Sequence, residues 1–249
     1  MTVRNMVLIH GWASDESIWQ ATQNYLDLSY RVYTLNLPIA INSDSYRDAV
    51  IGLIEQNGLD QVILAGWSMG ALVAIQVAHQ LPHKVQGLLL ISGTSRFLVD
   101  PQAVMRGGIP AALIVRMKKR LSKNRQKTIT DFNQLMFSPQ EQARGLAVDI
   151  IDGTLNRGRT WDLMEAQAGL DYLAEADVRA ELQEITCPTL LLHGDQDQIC
   201  PLGGAEYIQQ QIPYAQLIVY PGVGHIPFLT NVESFHQTLE GWLASYDNK

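Results

Sequence analysis

One pentapeptide, Gly66-Trp67-Ser68-Met69-Gly70, constrains the fold of this chain more than any other stretch. It matches G-x-S-x-G, a pattern that presents a serine on a sharp turn between a strand and a helix. Both flanks fit that turn. Residues 61–65 (QVILA) are an apolar run of strand length, and residues 71–78 (ALVAIQVA) read as a buried helix. The glycines have a mechanical reason. A tight turn brings backbone segments together and can demand a positive φ, which a side chain at Gly66 or Gly70 would resist. The same five residues also describe an ordinary Gly-Ser turn before a core helix, so the rest of the chain must carry the functional reading.

Strands and helices alternate around the pentapeptide. Residues 5–10 (NMVLIH) are an apolar strand that runs into His10-Gly11-Trp12, and Ser14 or Asp15 caps a helix to about residue 26. A strand at 31–35, a helix at 44–56 and a strand at 85–91 continue the rhythm. The runs VLI, VILA and LLLI are continuous, as in strands covered on both faces, so the expected class is α/β with a mostly parallel sheet. From residue 97 to 185 only helical patterns occur. Strands resume at 189–193 (TLLLH) and 216–220, and an amphipathic helix spans about 232–245. The expected division is a core of residues 1–96 and 186–249 with a helical cap of residues 97–185.

A serine hydroxyl is a weak nucleophile near neutral pH. It needs a base, usually histidine, and an acid side chain that fixes the tautomer of that histidine. Asp195 and Asp197 follow the TLLLH strand, and His225 follows the next one, so the order is Ser, Asp, His. Asp197 sits further into its loop and is favoured as the acid; Asp195, at the strand end, suits bracing the turn. Both could also be Asx-turn residues. His79 and His83 end a helix, His236 lies on the last helix, and His10 and His193 fit local bracing, which leaves His225 as the base. The negative oxygen of a tetrahedral intermediate needs fixed donors. The backbone N–H groups of Met69 and Trp12 are the candidates, with Trp12 and Trp67 walling a pocket.

Composition excludes several classes. The 249 residues carry a net charge of −7, which argues against nucleic-acid binding. Cys187 and Cys200 have no zinc spacing, and no metal or cofactor motif is found. No signal peptide and no apolar run of membrane-spanning length is seen, so a cytoplasmic monomer is expected. Charge is unevenly placed. Residues 101–130 hold eight Lys or Arg (Arg106, Arg116, Lys118, Lys119, Arg120, Lys123, Arg125 and Lys127) and no acid, while the remainder holds 10 basic against 25 acidic residues. On one helix Arg116, Lys119, Arg120, Lys123 and Lys127 share a face, which is either a solvated stripe or a dock for an acidic partner.

With GWSMG, HGDQD and GVGHIPF in hand, the chain resembles the α/β-hydrolase superfamily over nearly its full length. It looks most like the pimeloyl-[acyl-carrier protein] methyl ester esterases of biotin synthesis, through HGWASDESIW, GWSMG and the segment leading into HGDQD. The resemblance implies a serine esterase with the triad Ser68, Asp197 and His225 and oxyanion and substrate contacts at Trp12 and Met69. It also implies an acyl-lining segment at Phe132, Asn133, Gln134, Leu135 and Met136, and cap residues that grip an acidic acyl-carrier protein. A short-chain carboxylesterase, a thioesterase or a lyase would share these motifs, and a non-catalytic binding protein would share the fold. Two departures stand out. Little strand sequence precedes the first strand, so reduced N-terminal edge strands are expected, and the loop after the second strand reads Asn36-Leu37-Pro38-Ile39-Ala40-Ile41-Asn42-Ser43 rather than DLPGFGxS. Asp131 also stands where the resemblance leads one to expect a basic residue.

Overall fold

The computed structural model describes residues 4–26, 29–100, 107–156 and 161–247. Six strands form one sheet: β1 Arg4–Ile9, β2 Tyr30–Thr34, β3 Val62–Trp67, β4 Val85–Ile91, β5 Thr189–Gly194 and β6 Ala215–Tyr220. Their order is β2-β1-β3-β4-β5-β6, and every neighbouring pair is parallel. The continuous apolar runs sit where such runs belong, in the middle: all residues of β3 and β5 are buried. Strand order reverses between β1 and β3, and in a sheet of this kind the crevice for a ligand lies beyond the carboxyl ends of those two strands. His10-Gly11-Trp12 leaves β1 there, and Ser68 leaves β3.

Helices cover the sheet. A 3₁₀ turn Glu16–Trp19 leads into α1 Gln20–Leu26, with the Asp15 carboxylate accepting from Ser17 N–H at 2.8 Å. The helices α2 Ser45–Gln56 and α3 Met69–Gln80 follow. The first turns of α3 are buried on every side, which is why its sequence lacks an amphipathic pattern.

Between β4 and β5 the described residues form no strand, only α4 Ala111–Lys123, α5 Arg125–Leu135, α6 Pro139–Ala143, α7 Leu146–Ile150 with a π turn Ile151–Leu155, α8 Leu163–Glu175 and a 3₁₀ turn Leu182–Glu184. The chain ends with α9 Gly203–Gln211, α10 Pro227–Thr230 and α11 Val232–Asp247. Among the described residues no helix is long and apolar enough to cross a membrane.

The expectation of a single basic helix is corrected. Asn124 (φ −155°, ψ 89°) breaks it, and its side chain accepts from Lys127 N–H at 3.0 Å to cap α5. An asparagine side chain competes for backbone groups and so favours a cap over a helix interior. Lys127 therefore stands on α5, apart from Arg116, Lys119, Arg120 and Lys123 on α4.

The role of the turn glycines is also sharper than expected. The positive φ falls on Ser68 (φ 56°, ψ −116°), not on a glycine. Gly66 and Gly70 are needed for close approach instead. A Cβ on Gly66 would lie 2.2 Å from the Gly70 carbonyl oxygen, and one on Gly70 would lie 2.3 Å from that of Ile9. Both obstacles are backbone, so neither can step aside cheaply. Gly66→Ala is expected to cost about 3 kcal/mol or more through overpacking. At this chain length that is a fall in Tm of roughly 6–12 °C, checked by calorimetry.

Candidate active site

Ser68 sits at the point where β3 turns into α3. Its φ and ψ lie outside the regions ordinary for a non-glycine residue, a strain that persists only where surrounding structure enforces it. The Met69 N–H, the first of α3, comes before the helix's own hydrogen-bond ladder and lies at the same end as the serine, and the Ala71 N–H donates to the Ser68 carbonyl at 3.0 Å. The serine is 7% exposed and lines a cavity of about 300 Å³.

The loops after β5 and β6 meet beside it. A Cβ on Gly194 would lie 2.2 Å from the Val223 carbonyl oxygen, so only glycine lets the two loops touch. Asp195 Oδ1 accepts from Gly222 N–H at 2.7 Å and ties them together. Asp197 is deeper. Its Oδ1 accepts from Ile199 N–H and Cys200 N–H, each at 2.9 Å, and its Oδ2 accepts from His225 Nδ1 at 2.7 Å. Burial by itself would raise the Asp197 carboxyl. The charge and hydrogen bond of His225, the nearby His193 and the Cys200 N–H outweigh that burial and hold it below the usual carboxylate range. Asp197 is therefore an ionised acceptor near neutral pH. With Nδ1 donating to it, His225 leaves Nε2 bare as an acceptor. That nitrogen is buried and has no hydrogen-bond partner among the described residues.

Neighbouring groups are spoken for. Burial lowers the basicity of His193, and its Nε2 donates to the Cys200 carbonyl at 2.7 Å. Burial and then the Asp197 charge push the Cys200 thiol well up, so it stays protonated. His10 accepts from Leu37 N–H at Nε2 (3.1 Å), which braces the loop after β2. His79 pairs with Glu184 at 3.0 Å, and His236 stacks on Tyr25, 3.7 Å between ring centres.

Two tryptophans divide the work. Trp12 lines the cavity, donates from Nε1 to the Ala166 carbonyl in α8 at 2.9 Å, and meets Phe132 edge-on at 4.7 Å. Trp67 does not line the cavity as expected; it lies beneath His225, donating to the His225 carbonyl at 2.9 Å. An indole at the end of a strand or just beyond it is apolar enough for either place, so sequence alone does not separate them.

The cavity runs outward between α4, α5 and α8. Its walls are mostly apolar, with Phe97, Leu113, Met117, Phe132, Leu135, Leu170 and Leu173 among them. On α5 the lining residues are Thr128, Asp131, Phe132 and Leu135, the i, i+3, i+4, i+7 face of one helix. Asn133, Gln134 and Met136 fall on other faces. Asn133 is buried, Gln134 is exposed, and the Met136 carbonyl accepts from His225 N–H at 2.7 Å. Arg116 and Arg120 are exposed and line the cavity, so they mark its mouth. Asp131 pairs with Arg120 and, at 2.9 Å, with Lys127. Lys119 and Lys123 are exposed, Lys118 pairs with Asp171, and Arg106 lies outside the described residues. A larger groove of about 450 Å³ near β6 and α11 contains none of the motif residues.

Comparison with known proteins agrees with this geometry. The family model described as alpha/beta hydrolase fold matches residues 4–232. A pimeloyl-[acyl-carrier protein] methyl ester esterase of Nitrosomonas europaea is 33% identical over 93% of this chain and 92% of its own length. Among solved structures, an esterase from Exiguobacterium antarcticum superposes with a TM-score of 0.87 at 22% identity, covering 98% of this chain and 92% of that one. A bromoperoxidase from Bacillus anthracis superposes with a TM-score of 0.86 at 20% identity over the same shares. Likeness at that identity speaks for the fold alone. The sheet order, the serine turn and the match over residues 4–232 together establish that the chain belongs to the α/β-hydrolase family.

Proposed function

We propose that this chain is a serine carboxylesterase that hydrolyses the methyl ester of a pimeloyl chain held on acyl-carrier protein, a step of biotin biosynthesis. The observation that carries the catalytic reading is His225: its Nδ1 is fixed on a buried, ionised Asp197 and its Nε2 is left bare. The substrate assignment rests on the relative that bears that name.

In this reading Ser68 Oγ attacks the ester carbonyl as His225 Nε2 takes its proton. The carbonyl oxygen becomes an oxyanion and accepts from the Met69 and Trp12 backbone N–H groups. The tetrahedral intermediate collapses, the C–O bond to the alkoxy group breaks, and His225 returns the proton so that methanol leaves. Water, deprotonated by His225, then attacks the acyl-enzyme, and Ser68 recovers its proton as the free carboxylate departs. The methylene chain occupies the apolar cavity, and the carrier stays outside against Arg116, Lys119, Arg120, Lys123 and Lys127. Residues 97–185 act as the cap over a core of 1–96 and 186–249.

A second reading, a general short-chain carboxylesterase or thioesterase, draws support from Asp131, which already neutralises part of the basic stripe at Arg120 and Lys127. Kinetics with a carrier-bound methyl ester and a simple short-chain ester, at low and high salt, separate the two. Salt is expected to lower kcat/KM for the carrier substrate roughly tenfold and to leave the simple ester unchanged, since steering between opposite charges is screened. The double variant K119E/K123E, which alters only exposed side chains off the cavity, is expected to mimic high salt. Equal rates on both esters, indifferent to salt, favour the second reading.

A further inference from the structure

The structure assigns a positioning role to Glu141, a residue of the inserted helices: its carboxylate holds the loop that carries His225. The inference rests on the reading of His225 as the base.

Glu141 is 2% exposed. Its Oε2 accepts from Ser138 N–H at 2.7 Å, which closes a capping box at the start of α6. The same oxygen accepts from Gly224 N–H at 3.0 Å. Gly224 directly precedes His225. A capping box needs no burial, and burying a carboxylate is costly unless it is paired. Here the second bond reaches across 83 residues to the Val223–Gly224 peptide, the one immediately before the peptide that carries the His225 N–H.

Three further contacts close the same clamp. The Met136 carbonyl accepts from His225 N–H at 2.7 Å, and Ser138 Oγ donates to the Gly222 carbonyl at 2.7 Å. A Cβ on Gly224 would lie 2.3 Å from the Met136 carbonyl oxygen, so the two segments are in backbone contact. Segment 136–141 continues directly from α5, whose Phe132 and Leu135 wall the cavity. The wall that takes the acyl chain and the loop that presents the base are therefore one bonded unit, and Glu141 is its joint.

Losing this acceptor leaves the Gly224 N–H without its partner and the Val223–Gly224 peptide free to rotate. A displacement of the imidazole by a fraction of an ångström to 1 Å is enough to slow chemistry by up to ~10²-fold. The test uses the full chain and a p-nitrophenyl short-chain ester. Sites are counted by exhaustive fluorophosphonate labelling, and the downfield proton resonance of the His225–Asp197 bond is followed by NMR. Glu141→Ala is expected to lower kcat per labelled site by about 10- to 100-fold with KM within about twofold, and to shift or broaden that resonance. Glu141→Gln, which keeps an acceptor oxygen in the same place, is expected to recover kcat to within about threefold. If the alanine variant does not accumulate as folded protein, Glu141→Asp, which draws the acceptor back by one methylene, carries the same expectation.

A merely structural role would lower Tm and the number of labelled sites while leaving kcat per site within about twofold of the parent, and that result overturns the proposal. So does a glutamine variant as slow as the alanine one. His225→Ala with near-parental turnover would instead sink the reading of His225 as base, whatever Glu141 does.

Discussion

Ser68→Ala is expected to lower kcat by roughly 10⁶-fold, the scale seen when the nucleophile of a serine triad is removed. Alanine keeps the backbone strain at this position and removes only Oγ, so Tm should change little. Ser68→Gly separates the two properties. The serine's φ of 56° and ψ of −116° mirror an ordinary extended conformation, which glycine adopts as readily as its image. That variant should be as inactive as Ser68→Ala and more stable by about 1–2 kcal/mol, the typical scale of such backbone strain. The checks are steady-state kinetics, covalent labelling by a fluorophosphonate, and calorimetry on the same preparations. Labelling of Ser68→Ala at the parental rate would place the nucleophile elsewhere.

The second large effect is expected from Asp197→Asn, about 10⁴-fold in kcat. The direction follows from the hydrogen bonds. Oδ1 accepts from two backbone N–H groups, so an asparagine must put its carbonyl oxygen there and its NH₂ where Oδ2 stands. That NH₂ then faces His225 Nδ1, which must become the acceptor. The imidazole proton moves to Nε2, and the atom that should take the proton of Ser68 already carries one. KM should change little, because Asp197 does not line the cavity. Nitrogen chemical shifts of the imidazole would report the tautomer directly. A variant with near-parental kcat would mean that Asp197 does not set it.

Much of this architecture was legible in the chain because its signals are local. The GWSMG turn lies between an apolar strand and an apolar helix, and both elements form where their patterns place them. Asp197 and His225 each follow a strand, and the structure brings them to 2.7 Å. Other features depend on contacts between distant segments, which no periodicity records. Trp67 lies under His225 rather than in the cavity because of a bond spanning 158 residues. Glu141 reads as half of a capping box, and its bond to Gly224 is invisible without the fold. Of residues 132–136, which the resemblance implies line an acyl chain, Phe132 and Leu135 are the ones on the cavity wall, since consecutive residues of a helix cannot all face one cavity. The break at Asn124 was misread because helical spacing continues in phase through a well-capped asparagine.

The pairing of β4 with β5 has a consequence for the newborn chain. Residues Leu88–Ile91 find their partners in Thr189–Leu192, and helices α4 to α8 are made in between. Until β5 leaves the ribosome, β4 is an apolar strand with an open hydrogen-bonding edge, the kind of surface that seeds aggregation. The helices between the two strands emerge first, so the edge stays open until β5 arrives to pair with it. A shorter connection between the two strands would bring them together sooner and cut the time that edge is left open.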